Sequence, residues 1–283
     1  MDGFYSIWTG PFFQKEKNRG KQFFMQDYEL LTIILSVYAY KASNGETMIY
    51  LDKPAIDYLD SIKMLPIFDK GVFPLNVDET INPKIFWAAG KLEALKSLKD
   101  KAVMIDLDLI IWKNLEDFFK DAVIYGIHRE EIRNEIYSDP YLFKCKDGFK
   151  LRDDLSLSAL PLNTAMLYID DLAFTHMYAS ESLNFMKGCD EKYDNLKPMV
   201  FAEQRYISML AEKNNKPIKT MFPFAGDIGY QEYFTHIWGH KNILKYNFEE
   251  RKKYNNRILS RLKKDFPEGF EAANRVLGLQ EKI

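Results

Sequence analysis

The chain has 283 residues, 47% of them hydrophobic, with 39 Lys and Arg against 41 Asp and Glu. That is enough apolar material for one large α/β domain with a helical appendage, and a net charge of −2 excludes the broad basic surplus of a nucleic-acid binder. Two cysteines, Cys145 and Cys189, make no disulfide scaffold and show no zinc spacing, so a reduced, cytoplasmic protein is expected.

Phe4-Tyr5-Ser6-Ile7-Trp8 is aromatic and β-branched and reads as a first strand, ended by Thr9-Gly10-Pro11. Residues 1–5 lack a basic start followed by an apolar run, so no secretory leader is expected. Leu30, Leu31, Ile34, Leu35 and Tyr38 recur at helical spacing and predict a helix over 26–42. Ser36, with Glu29 and Lys41 at its flanks, makes that helix too short and polar to span a bilayer. No transmembrane segment is expected, and any membrane contact is peripheral.

A strand at 47–51 and a helix near 56–62 come next. A second helix over 86–98 places Leu92, Leu95 and Leu98 on one stripe. Ala102-Val103-Met104-Ile105 has strand length and stops at Asp106-Leu107-Asp108. Then come a short helix near 115–119 and a strand at 122–127. Residues 129–161 are charged and irregular, a length that inside a compact domain usually serves function or motion. A strand at 164–169, helices near 171–186 and 200–213, and a strand near 218–222 complete the alternation. It implies a mostly parallel central sheet covered by helices on both faces. An amphipathic helical tail from 248 to 277, broken at Pro267-Glu268-Gly269, is expected to pack on that core. The natural division is 1–245 for the α/β domain and 246–283 for the helical extension.

Four constellations carry chemistry. Asp106 and Asp108 end a buried strand, where ligands of open α/β sheets bind. Spacing by two in extended chain turns both carboxylates the same way, and a hard divalent cation relieves their repulsion. His236-Ile237-Trp238-Gly239-His240-Lys241 offers imidazoles for a metal and an ammonium for phosphate. Asn163 stands at a polar turn entering a strand, where it could bond a ligand hydroxyl but taken alone more often satisfies the turn backbone. Glu203 and Gln204 lie on a helix, where they could reach a cleft but such a run is more often a solvated face. Asp-x-Asp after an apolar strand also occurs in haloacid-dehalogenase-like phosphatases, but there it continues with Gly-Thr in the first strand, unlike Leu109-Ile110-Ile111.

In this order the pieces resemble GT-A glycosyltransferases, particularly the glycogenin-like and bacterial lipopolysaccharide galactosyltransferase-like group. The matching stretches are Gly90-Lys91-Leu92, Met104-Ile105-Asp106-Leu107-Asp108, Asn163-Thr164-Ala165-Met166, Glu203-Gln204 and His236 to Lys241, spanning roughly residues 1–245. Ile7-Trp8-Thr9-Gly10-Pro11 and Trp87-Ala88-Ala89-Gly90-Lys91 also look like a bacterial glycosyltransferase-like family of uncertain chemistry.

The resemblance implies a GT-A (nucleotide-diphospho-sugar transferase) fold and transfer of a sugar from a nucleotide-diphosphate donor, such as a uridine diphosphate sugar, to a saccharide or lipid-linked hydroxyl. It also implies retention of configuration and a role in polysaccharide biosynthesis. Asp106, Asp108 and His236 would hold Mn²⁺ or Mg²⁺. Lys91 would lie near the donor, Lys241 or its rival His240 at the diphosphate, and Trp8 and Thr9 near the base. Asn163 would lie beside the donor sugar, and Gln204, with Glu203, beside the reacting carbon. The sequence departs from the group at Ala165 in place of Gly, at Glu203 in place of Asp, and in a Gly239-to-Lys241 spacing one residue short. The alternative these departures raise is a degenerate GT-A domain that binds nucleotide or glycan without turnover.

Overall fold

The computed structural model describes residues 1–282 apart from residues 16, 17, 19 and 192–195. Nine strands lie among the described residues: β1 (Gly3–Ile7), β2 (Thr47–Leu51), β3 (Gly71–Pro74), β4 (Val103–Ile105), β5 (Leu109–Ile111), β6 (Ile124–Arg129), β7 (Met166–Ile169), β8 (Ile218–Phe224) and β9 (Phe234–His236). Seven form one sheet in the order β3-β2-β1-β4-β7-β6-β8, and β5 pairs with β9 in a small second sheet. β1 to β4 run parallel, β6 is parallel to β8, and β7 alone is reversed between β4 and β6. The α/β class and the mostly parallel central sheet are as the sequence predicts.

The helices are α1 (Gly10–Phe13), α2 (Asp27–Ser43), α3 (Lys53–Ser61), α4 (Ala89–Ser97), α5 (Glu116–Phe119), α6 (Leu172–Gly188), α7 (Leu196–Val200), α8 (Tyr206–Lys213), α9 (Lys241–Tyr246), α10 (Phe248–Asp265) and α11 (Pro267–Gln280). Alternation along the strands divides the core into two layers. Tyr5, Ile7, Ile49, Val103 and Ile105 face α2 and the C-terminal helices. Phe4, Met48, Tyr50 and Met104 face α4, α6 and α8. The central parallel strands β1, β2 and β4 are buried on both sides, which is why they read as largely apolar runs.

Local rules set the element ends. Gln26 and Glu29 close a capping box at the start of α2. Asp52 caps α3 through Ala55 N at 3.3 Å, with Pro54 in the first turn. Ser36, which interrupts the apolar face of α2, is fully buried and used: it hydrogen-bonds Tyr5 Oη (2.9 Å) and donates to the Leu109 carbonyl (2.5 Å), tying β1 to β5.

Several elements differ from the sequence expectation. Thr9-Gly10-Pro11 opens α1 instead of a turn, because Pro11 suits a first helical turn. The helix expected from 86 begins at Ala89. The helix expected over 200–213 is compound: α7 runs into a π-helical turn at Phe201–Arg205 before α8. The strand expected from 164 begins at Met166. The interruption at Pro267 is the first turn of α11, with the break at Phe266.

The C-terminal helices are built into the core. Ile258 and Leu262 of α10 and Ala272, Ala273 and Val276 of α11 join the layer formed by α2. Gly269 lets α11 approach closely, since a Cβ there would lie 2.9 Å from the Tyr38 ring. Leu262→Ala should therefore destabilise the whole protein by about 2–4 kcal/mol, seen as a lower urea midpoint of the single unfolding transition. An unchanged midpoint would mean that α10 opens independently of the core.

Candidate metal and nucleotide site

β4 ends at Ile105, and the chain turns at once. Asp106 N donates to Ala165 O of the neighbouring β7 segment (2.8 Å), and Leu109 N donates back to Asp106 O (3.0 Å). This turn throws Asp106 and Asp108 out at the carboxyl end of the central parallel strands, the crevice where open α/β sheets take ligands. β5 then pairs antiparallel with β9, with Leu109 opposite His236. Ile237 N donates to Asp108 O (3.1 Å) and locks the register. A residue from late in the chain is thereby set beside the second aspartate.

Asp106, Asp108 and His236 each bring a ligand atom into one cluster, all within 4.8 Å of one another. His236 Nε2 lies 3.4 Å from Asp108 Oδ2. Three atoms here, Asp106 Oδ1, Asp108 Oδ2 and His236 Nε2, are buried and make no hydrogen bond of ordinary geometry. Their neighbours are one another and two ammonium groups. Lys91 Nζ lies 2.5 Å from Asp106 Oδ1 and 2.7 Å from Glu203 Oε1. Lys241 Nζ lies 2.6 Å from Asp108 Oδ2.

The charges account for one another. Burial opposes the Lys91 ammonium, but Asp106 and Glu203 outweigh it and keep the group charged well past its ordinary range. Burial pushes the Asp106 carboxyl upward; Lys91 counters, while Glu203 and Asp108 add repulsion. For Asp108 burial is again the largest influence and acts upward, yet His236 and Lys241 together carry the carboxyl below its usual range. Two oxygens and an imidazole nitrogen within 4.8 Å of one another suit Mg²⁺ or Mn²⁺, and a cation there would take over from the ammonium groups that now meet the carboxylates. The residues fit the ion.

The neighbouring side chains come from several segments. α4 carries Lys91, and Gly90 before it lets Trp8 pack against the first turn: a Cβ on Gly90 would fall 2.7 Å from Trp8 Cβ. Glu203 and Gln204 stand on the π-helical turn, whose wider winding frees carbonyls for outside donors. Tyr178 Oη donates to Glu203 O (2.5 Å) and Leu162 N to Gln204 O (2.9 Å). Thr164 Oγ1 donates to Glu203 Oε1 at 3.1 Å, and Tyr137 Oη to Gln204 Oε1 at 2.5 Å.

Other candidates sit differently. Thr9 is buried, and its amide and hydroxyl both donate to Asp52 Oδ2, at 2.7 and 2.6 Å, so its polar groups serve the β1 end. Asn163 Oδ1 accepts from Ala165 N at 3.2 Å and supports the turn into β7. His240 is exposed and faces the Tyr254 ring at 6.5 Å, while its rival Lys241 reaches the carboxylates. Thr164 and Tyr137 escaped the sequence reading. Tyr137 lies in the irregular stretch, where no spacing marks it.

A model of the family of unknown function DUF6734 matches residues 1–276. The chain belongs to that family. No curated protein matches the sequence. Among solved structures, mouse xyloside xylosyltransferase 1 in its apo form is similar over 78% of this chain and 85% of its own, at 10% identity and a TM-score of 0.41. The nucleoside-diphosphate-sugar pyrophosphorylase of Vibrio cholerae RC9 is similar over 80% and 93%, at 10% identity and a TM-score of 0.42. The galactosyltransferase LgtC with donor and acceptor sugar analogs is similar over 71% and 70%, at 10% identity and a TM-score of 0.37.

Lys91 is the cation that offsets Asp106 and Glu203, so Lys91→Met should lower stability by about 3–5 kcal/mol by leaving buried carboxylates unpaired. Mn²⁺ should then raise the melting temperature of the variant by more than that of the wild type, since no ammonium competes for Asp106. An equal metal response in both proteins would separate Lys91 from the cation site.

Proposed function

We propose that this chain is a metal-dependent glycosyltransferase of the GT-A type. It moves a sugar from a uridine diphosphate donor to a hydroxyl of a saccharide or lipid-linked acceptor, with retention. The observation that carries the reading is the cluster of Asp106, Asp108 and His236 at the carboxyl end of the parallel strands, its carboxylates neutralised by Lys91 and Lys241. A charge set of this kind suits a diphosphate brought in with a cation.

In this reading Asp106, Asp108 and His236 hold Mn²⁺ or Mg²⁺, which when bound supplies electrostatic stabilisation to the departing diphosphate. Lys241 has a side chain 46% exposed, so it is the ammonium able to leave Asp108 and pair with phosphate as charge develops there. Lys91 is held from both sides by Asp106 and Glu203 and stays as a fixed positive charge beneath the donor. Glu203 keeps Lys91 in place, and Tyr137 holds the Gln204 amide toward the sugar side. Trp8, braced on the start of α4, borders the nucleotide. No helix among the described residues is long and apolar enough to cross a membrane, so a lipid-linked acceptor would be met at the membrane surface.

Uridine diphosphate at about a hundred times its dissociation constant should raise the melting temperature by roughly 5 °C, and only with Mn²⁺ or Mg²⁺ present. Asp108→Ala should abolish the shift. Release of uridine diphosphate from a donor sugar by the wild type supports turnover. A shift without release supports the binding-only reading to which Ala165 and Glu203 point. No shift with any nucleotide diphosphate and metal sinks both.

A further inference from the structure

Cys145 and Cys189, the two cysteines of the chain, take no part in the site above. Cys145 lies in the irregular stretch after β6, and Cys189 comes directly after the last turn of α6. The fold sets them opposite one another as an isolated antiparallel pair. Lys146 N donates to Gly188 O (2.8 Å) and Asp190 N to Lys144 O (2.7 Å). Bonds in those positions make the cysteines a non-hydrogen-bonded pair, with Cα atoms about 4.5 Å apart and side chains on the same face. A disulfide spans Cα separations of about 4.4–6.8 Å, so closure asks for side-chain rotation alone.

The two backbones are held together independently of the thiols. Lys144 N donates to Glu191 Oε1 at 3.0 Å. The Phe149 ring packs against Gly188, where a Cβ would fall 2.2 Å from it. Phe143 packs on Phe185 and Phe201, each at 5.6 Å between ring centres. Both thiols are free. Burial pushes the Cys189 thiol up to about 11, with the neighbouring Cys145 among the lesser causes. Cys145 is the more exposed of the two.

We propose that Cys145 and Cys189 are a reversible modification site that closes to an intramolecular disulfide under peroxide. The Cys145 thiol gives up its proton and the thiolate attacks a peroxide oxygen, breaking the O–O bond to give a sulfenic acid and hydroxide, which takes up that proton as the first water. The Cys189 sulfur then attacks the sulfenic sulfur and expels a second water. Two thiols lose two hydrogens in total, the peroxide is reduced to two waters, and a dithiol reductant reverses the bond. Burial raises both thiols, so closure is slow at neutral pH and quickens as pH rises. The bridge staples the irregular segment to the end of α6 and fixes Phe143 against Phe201, the first residue of the π-helical turn that carries Glu203 and Gln204. Oxidation is thereby coupled to the rigidity of that turn.

The test uses the full chain, treated with hydrogen peroxide at mildly alkaline pH without metal or nucleotide, so its outcome is independent of the glycosyltransferase reading. Expected are loss of both thiols on maleimide titration in denaturant, an intact monomer mass lower by two hydrogens, and a Cys145–Cys189 linked peptide in the non-reduced digest. The melting temperature should rise on the order of 5–10 °C and fall back with dithiol. Cys145→Ser, at the more exposed position, and Cys189→Ala should each show no peroxide-dependent rise. Retention of both thiols, gain of oxygen without a linked peptide, or linkage only between separate molecules would overturn the proposal.

Discussion

Acidic side chains gathered where strands end cannot be left uncompensated, and the centre of this molecule is arranged around that requirement. Asp106, Asp108 and Glu203 face Lys91 and Lys241, which leaves one negative charge with His236 neutral. A divalent cation alone would overshoot to a positive site. A cation arriving with a donor diphosphate of two negative charges would bring the site back to the single negative charge it started with. Cation and diphosphate together therefore leave the charge of the site unchanged, whereas either alone shifts it by two, and Lys241 is the more exposed of the two ammonium groups that meet the carboxylates.

The fold serves this arrangement through short elements. β5 and β9 have three residues each, yet without their pairing His236 and Lys241 would have no reason to meet Asp108. The π-helical turn places Glu203 beneath Lys91 and gives its carbonyls to Tyr178 and Leu162. Arg205 at the end of that turn is buried and donates to Ser138 O (2.8 Å) and Leu157 O (2.6 Å). The irregular segment is thus anchored to the same turn by a guanidinium, by Tyr137 and by packed phenylalanines.

Much of this was legible in the residues alone. The buried strands β1, β2 and β4 are largely apolar runs, and α2 is a longer apolar run of helix length, buried at nearly every position from Leu30 to Tyr40. Asp106 and Asp108 announce themselves because a charged pair interrupts an apolar run, and His236 because histidine is rare in this chain, with 4 in all. The rest was hidden for physical reasons. Three-residue strands have no alternation to detect, so Leu109-Ile110-Ile111 read only as an apolar continuation of the aspartate motif. A π-helical turn has no sequence period of its own. The reach of Lys91 to both Asp106 and Glu203 is a tertiary fact, as is the burial of Thr9 against Asp52. Tyr137 sits in a stretch whose order comes from what it touches.

The late arrival of His236 and Lys241 has a consequence for biosynthesis. The chain emerges from its amino terminus, so Asp106 and Asp108 are made long before the strand that completes their surroundings. Until β9 docks on β5, two aspartates at the end of β4 have Lys91 as their neighbouring cation and an open edge beside them. A nascent chain at that stage would expose acidic groups and an unpaired strand together. The closing of this small sheet is then a late assembly step, one that couples completion of the charge set to synthesis of the segment that carries β9.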